Sequence, residues 1–417
     1  MLQRFAKSIF HASLHAAVTA LILVLALMSV ARPAQAQTFT VIHNFSGGGD
    51  GDYPEAGLTI DAAGNLYGTT EAGAGTVFKL AYKGSGWVLA TLHTFDYKDG
   101  AEPFATPILG RDGVIYGTTG FGATSGTVYS VRPAATRPTS VFAPWTENTL
   151  YSFTGGSDGS DPDGGLVFDQ AGNLYGTTVT GGYFGNQVCV SYSGCGVVYK
   201  LTSTGGGWTE SVLYAFTGPT DGDLPEGGVA FDDAGNIYGT TTGGGANARG
   251  TIYELTPSGS GWTETILHSF QGDDGFHPIA GLTRDAAGNF YGTTLDGGLY
   301  GGGVVFMLTP AGGGWNFSVI YNFIGFTNGG PYARLVMDAA GNLYGTTAAD
   351  GKHQLGSVFK LTPSNGSWTY TSLHDFTGGN DGEFPYGGVI LDLAGNLYGT
   401  AAEGGYSGNG VVYEITP

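Results

Sequence analysis

Three regularities in the 417 residues predict an all-β chain folded as a seven-bladed β-propeller. The first is the core Gly64-Asn65-Leu66-Tyr67-Gly68-Thr69-Thr70. It returns around Tyr116, Tyr175, Tyr238, Tyr291, Tyr344 and Tyr398, 49 to 63 residues apart, and self-similarity at such a period marks a repeat architecture. The second is a proline 13 residues before each of these tyrosines: Pro54, Pro103, Pro162, Pro225, Pro278, Pro331 and Pro385. The third is a Trp-Phe pair eight residues apart: Trp87/Phe95, Trp145/Phe153, Trp208/Phe216, Trp262/Phe270, Trp315/Phe323 and Trp368/Phe376. Composition agrees. With 77 glycines and 13% aromatics, the chain has the tight turns and the ring-bearing strands of a propeller, whereas disordered low-complexity chains are poor in aromatics.

The first 36 residues stand apart. Arg4 and Lys7 precede an apolar run from Ala17 to Val30, and Ala34-Gln35-Ala36 supplies a small-x-small cleavage signal. This reads as a secretory signal peptide cut before Gln37. The rival reading, a retained membrane anchor, needs a longer span. The expected location is secreted or periplasmic, with no membrane span after cleavage.

Residues 37–417 then read as one propeller. In the third copy, Gly165 to Asp169 is strand a, Gln170-Ala171-Gly172-Asn173 a tight turn, and Leu174 to Thr178 strand b. Val197 to Leu201 is strand c and Trp208 to Phe216 strand d. Alternation and β-branched or aromatic residues support each strand. Because eight is even, the Trp and Phe of strand d are expected on one face, packing between adjacent blades. The Gly after each strand-b Tyr is expected to leave room for such a ring. The seventh copy ends at Pro417 without a strand d, while Thr38 to Phe45 has His43 and Phe45 where a strand d carries them. The N-terminal strand should therefore complete the last blade, and closure removes free sheet edges.

The GNLYGTT core, the Gly-rich loop after it and strands such as Val77-Phe78-Lys79-Leu80 resemble the GloVer (Gloeo/Verruco) tandem repeat. That repeat occurs in secreted bacterial proteins of the choice-of-anchor type. The resemblance spans residues 37–417. It implies a secreted propeller-like array and no known activity.

A formal net charge of −19 repels nucleic acid and anionic membranes. No G-x-S-x-G elbow, H-E-x-x-H helix or phosphate loop is present. The connection from strand d to the next strand a carries repeated acids: Asp50, Asp99, Asp158, Asp221, Asp274 and Asp381 before a Gly, with Asp52, Glu102, Asp161, Asp163, Asp223, Glu226, Asp273 and Glu383 nearby. Carboxylates and loop carbonyls suit Ca²⁺, so Asp50, Asp52, Asp99, Asp158, Asp161, Asp221, Asp223, Asp274 and Asp381 are candidate calcium ligands. The competing reading is a solvated Asp-Gly turn. His43, His93, Tyr151, Tyr214, His268, Tyr321 and His374 share one repeat position, which marks it as structural. The acids that close strand a, such as Asp169, are expected to cap the turn that follows.

Departures from the repeat point to a ligand. Loop length varies mainly between strands b and c, and the longest such loop, in copy three, holds Tyr183, Phe184, Asn186, Gln187 and Tyr192. It also holds Cys189 and Cys195, which outside the cytosol are expected to form a disulfide. The off-pattern His277, Arg334, Lys352 and His353 fall on the same face. Together these residues predict a monomeric binding module or scaffold for an extracellular glycan or peptide, with calcium as an optional cofactor. A cation-dependent propeller enzyme of the lyase or lactonase kind, with its site at the channel mouth, is the alternative. A structural cell-surface component is the third reading, since fold alone does not choose among them.

Overall fold

The computed structural model describes residues 37–122, 124–133, 145–325 and 328–417. The expected signal peptide lies outside the described residues. So do Pro138 and Pro144, in the connection between strands c and d of the second copy. Residues Phe39–Thr416 form one compact unit. Seven four-stranded antiparallel sheets are seen among the described residues, one per copy.

Blade three shows why each element forms. Its strands are Val167–Phe168 (a), Leu174–Thr178 (b), Val197–Ser203 (c) and Trp208–Ala215 (d), in that order across the sheet. Asp169 shapes the a–b turn. Its Oδ1 accepts the N–H groups of Ala171 and Asn173 at 2.9 Å each, and its Oδ2 accepts from Asn173 Nδ2 at 2.6 Å and Tyr175 Oη at 3.2 Å. The same bond from the Asn amide holds Asp61, Asp232, Asp285, Asp338 and Asp392. Strand b is buried along its whole length. Gly176 pairs with Tyr199 of strand c, and a Cβ at Gly176 would lie 2.5 Å from the Tyr199 hydroxyl. The room is thus taken by the strand-c ring of the same blade, not by a strand-d ring as the sequence suggested.

The last sheet joins Thr38–Asn44 to Val411–Thr416, Leu397–Ala401 and Ile390–Leu391, so the N-terminal strand closes the ring. Phe45 N–H donates to Gly410 O at 3.0 Å. The Phe45 ring then meets Phe78 of blade one at 5.3 Å, edge to face.

One expectation about strand d fails for a local reason. Val198 pairs with Tyr214 while Tyr199 pairs with Val212, so one extra residue is accommodated in strand d. Such a bulge reverses the alternation beyond it. The same shift recurs in five further blades. Trp208 consequently packs back on Tyr116 of the preceding blade, at 6.4 Å, while Phe216 packs forward on Tyr253 of the next, at 5.0 Å. The two rings lie on opposite faces and belong to separate cores. The inter-blade cores are aromatic and aliphatic sandwiches of this kind, repeated around the ring.

Candidate functional site at the channel mouth

The fixed proline builds the mouth of the central channel. In six blades the residue before it is left-handed although it is not glycine: Tyr53, Glu102, Asp161, Leu224, His277 and Phe384 have φ between 54° and 58°. In five of these the N–H after the proline turns back to that residue's carbonyl, as in Glu55 N–H to Tyr53 O at 3.0 Å and Asp163 N–H to Asp161 O at 2.9 Å. The proline ring presets the φ of this three-residue turn. The same carbonyl accepts the N–H that opens the b–c loop, as in Glu71 N–H to Tyr53 O and Val179 N–H to Asp161 O. Both loop sets therefore emerge on one face, as expected.

A side chain that follows the proline is thereby aimed at the channel, and strand alternation sends the second and fourth residues after it the same way. The seven residues in the first position are Glu55, Phe104, Asp163, Glu226, Ile279, Tyr332 and Tyr386, and all line one cavity of about 720 Å³. Two residues deeper the ring is Gly57, Thr106, Gly165, Gly228, Gly281, Arg334 and Gly388. A Cβ at Gly281 would come within 2.8 Å of Gly228 O in the neighbouring blade, so glycine permits the close approach of adjacent strands. Below it the wall turns mostly apolar, with Ile108, Val167, Val336 and Ile390. Hydroxyls lock the blades behind this wall: Thr177 donates to Gly227 O at 3.1 Å and Thr400 to Ala56 O at 2.8 Å.

The rim is acidic and strained electrostatically. Desolvation, reinforced by Asp161, Glu226 and Glu102, pushes the Asp163 carboxyl up to about 7. Its Oδ1 is buried with no hydrogen-bond partner among the described residues. Desolvation and the neighbouring Glu71 also raise Glu55, which shares a hydrogen bond with Glu71. Desolvation raises Glu226 as well. Tyr332 meets Tyr386 edge to face at 5.1 Å. Burial and the charge of Glu226 push the Tyr332 hydroxyl up to about 12. His277 Nδ1 lies 3.2 Å from Asp296 Oδ2 at the same mouth.

The candidates named from sequence are distributed differently. Arg334 lines the channel, His277 pairs with Asp296 two residues before the channel-lining Ile279, and His353 and Lys352 are exposed on the b–c loop of blade six. In copy three, Asn186 caps a short helix, Gln187–Ser191, and donates to Thr217 O at 2.6 Å. Its amide is thus engaged within the protein. Tyr183, Phe184 and Tyr192 remain exposed. Cys189 and Cys195 form a disulfide, both sulfurs fully buried.

Among the described residues the candidate calcium ligands are spread over the loops of successive blades rather than gathered at one point. Asp50, Asp99, Asp158, Asp221, Asp274 and Asp381 sit one to a blade, each facing the His or Tyr of its own strand d. His93, His268 and His374 approach their aspartates at 2.8, 2.8 and 3.0 Å, and His43 at 3.4 Å; Tyr151 and Tyr214 donate to theirs at 3.0 and 2.8 Å. Burial alone would raise Asp158, but bonds from Thr154 and Tyr151 hold it below the ordinary carboxylate value. Asp161 accepts from Thr180 at 2.8 Å, and Asp223 and Asp52, raised by desolvation, are raised further by the neighbouring charges of Asp221 and Asp50 on their own loops. Among the described residues, His93, Asp99 and Glu147 are the one group of three ligand-type side chains within reach of one another, at 4.8 Å or less. Glu210 and Glu264 repeat the Glu147 place beside the Tyr-Asp pairs of later blades, which makes that grouping part of the repeat.

Glu55 carries no repeat signal of its own in the sequence, and there Asp163 and Glu226 look like any other loop acids. The signal was present: the residue after an invariant proline varies in charge, size and aromaticity from copy to copy.

The Gloeobacter/Verrucomicrobia repeat matches residues 28–190 and 262–417. No curated protein matches the chain. Similar solved structures include one described as a 6-phosphogluconolactonase from Bacteroides uniformis, at TM-score 0.51 and 15% identity over 83% of this chain and 89% of that one. One described as a gluconolactonase has TM-score 0.44 and 12% identity over 92% and 96%. One described as an oxidoreductase (glucose dehydrogenase) from Thermus thermophilus has TM-score 0.44 and 15% identity over 91% and 100%. At such identities the likeness extends to the fold alone. Among the described residues no helix is long and apolar enough to cross a membrane.

Proposed function

We propose, for a chain that belongs to the Gloeobacter/Verrucomicrobia repeat family, that the channel mouth binds a polyhydroxylated ligand, a monosaccharide or the end of an extracellular glycan. The observation that carries this reading is the unique ring after the prolines. Three carboxyls, Glu55, Asp163 and Glu226, stand beside the rings of Phe104, Tyr332 and Tyr386 in a recess of about 720 Å³. Carboxyls accept bonds from sugar hydroxyls, and aromatic faces cover the apolar C–H surface of a pyranose; a few convergent polar groups in an otherwise apolar recess define a small-molecule site. The exposed Tyr183, Phe184, Tyr300 and Tyr406 on the b–c loops extend the same face outward for a longer glycan. Peptide binding uses the same rings but leaves the carboxyl trio without a role unless the peptide is basic.

Isothermal titration with a panel of mono- and oligosaccharides tests the reading, with Glu226→Gln and Tyr386→Ala as channel variants. Binding that both variants weaken supports it. Binding that survives both places the ligand elsewhere. A basic peptide that binds while every sugar fails replaces the glycan by a peptide.

One observation favours a catalytic second reading. Glu55 and Glu71 share a hydrogen bond in a desolvated setting, and a carboxyl pair that shares a proton can serve as general acid and base. Hydrolysis of an aldonolactone, with and without added Ca²⁺ and abolished in Glu71→Gln, is the result that would establish it. Equal rates in the wild type and the variant would remove it.

A further inference from the structure

Arg334 is the one charged side chain in the ring below the mouth, where five of the other six positions are glycine. It faces the channel and keeps solvent access through it, although protein surrounds it closely. Its Nε donates to Thr283 Oγ1 at 3.3 Å. That hydroxyl is itself committed to Leu335 O. Among the described residues no carboxylate lies within salt-bridge reach of the guanidinium, and burial lowers its pKa without any acid nearby to restore it. A guanidinium that water reaches and no acid pairs with keeps its N–H donors available to an anionic ligand. The remaining non-glycine residue of the ring, Thr106, accepts the Gly57 N–H at 3.0 Å, which leaves its O–H free to donate. The channel is thus layered. Acceptors and aromatic rings form the rim, and two donors, one of them cationic, lie one layer deeper.

We propose that this deeper layer is a carboxylate subsite and that the ligand is an acidic sugar, a uronic or aldonic acid, seated with its carboxylate on Arg334 and its hydroxyls at the Glu55, Asp163 and Glu226 rim. This deepens the glycan reading above and rests on it. A guanidinium presents paired N–H donors that match a carboxylate edge, which a lysine does not. The cavity of about 720 Å³ that Arg334 lines supplies the space such a group needs. The acidic rim does not bar an anion at neutral pH, because desolvation keeps Asp163 and Glu55 partly protonated.

The test is titration of the purified protein with D-glucuronate, its methyl ester and D-glucose, then the same three ligands with Arg334→Gln and Arg334→Lys. The expected result is a preference of about tenfold or more for glucuronate over its ester in the wild type. Arg334→Gln should lose that preference while binding the ester and glucose as before, and Arg334→Lys should restore part of it. If Arg334→Gln does not fold, the acid-against-ester comparison on the wild type decides alone. Equal affinity for acid and ester overturns the subsite but leaves the glycan site standing. A preference that persists in Arg334→Gln overturns the role of Arg334. Failure of all three ligands overturns both the glycan reading and the subsite.

Discussion

Replacing Asp163 by Asn isolates the electrostatic strain at the channel mouth. Asp163 moves from an ordinary 3.8 to about 7, chiefly through desolvation and then through the charges of Asp161, Glu226 and Glu102. Between those values the unfolded chain has released the proton and the folded chain still holds it. The unfolded state therefore binds fewer protons, and stability falls as pH rises through this window. Below 3.8 both states are protonated, and above about 7 both are ionised, so the loss is complete there. At about 1.4 kcal/mol per pH unit the full loss is about 4 kcal/mol, and screening through the open channel reduces it to about 2–4 kcal/mol. Asn cannot ionise and has nearly the same shape. Urea unfolding followed by tryptophan fluorescence at pH 5, 6, 7 and 8 measures the difference. Asp163→Asn should gain about 2 kcal/mol or more over the wild type at pH 8 and much less at pH 5. A variant less stable than the wild type at pH 8, or a difference that does not change with pH, would refute the account of Asp163 as a strained rim carboxyl.

Other outcomes follow from the packing. Phe45 is fully buried and meets Phe78 across the closing junction, so Phe45→Ala should cost about 3–5 kcal/mol in urea unfolding; a cost below about 1 kcal/mol would disprove closure by the N-terminal strand. Trp208 is only half-buried whereas Phe216 is fully buried. Trp208→Ala should therefore cost about 2–3 kcal/mol and less than Phe216→Ala, and the reverse order would contradict the bulge-reversed facing. The disulfide closes a loop with a sequence separation of 6, for which loop entropy predicts about 2 kcal/mol. Reduction should speed proteolysis within residues 183–194, and an unchanged cleavage rate would make the bond dispensable. His268 is lowered by burial despite Asp274, so its contribution is lost as pH falls below about 6.5. His268→Tyr copies the Tyr214 arrangement of blade three; it should be neutral within about 1 kcal/mol at pH 7 and less sensitive to acid, as melting at pH 5 and 7 will tell.

Much of the architecture was legible because repetition made local signals mutually confirming. The spacing of Pro, Tyr, Trp and Phe defined seven blades, and the orphan His43-Phe45 segment indicated how the ring closes. The turns that open on Asp and close on Gly-Asn and the His/Tyr position read as structural; the turn aspartates bond locally, and His93, Tyr151, Tyr214, His268 and His374 each meet an aspartate six or seven residues on. The facing of Trp208 and Phe216 was not legible. A single-residue bulge inverts the alternation, and nothing in the strand-d sequence declares where the extra residue falls.

The candidate site divides along the same line. Sequence by itself determined the repeat, its period, the strand order within a blade and the pairing of Cys189 with Cys195, because each rests on contacts close along the chain or repeated in register. Only the tertiary structure decided that Glu55, Asp163, Glu226, Tyr332 and Tyr386 share one recess above Arg334. These residues lie on five different blades, up to 331 positions apart, and each looks unremarkable within its own copy. Closure of the ring brings equivalent positions of all blades around one axis. A position that varies from copy to copy thereby becomes a single asymmetric site.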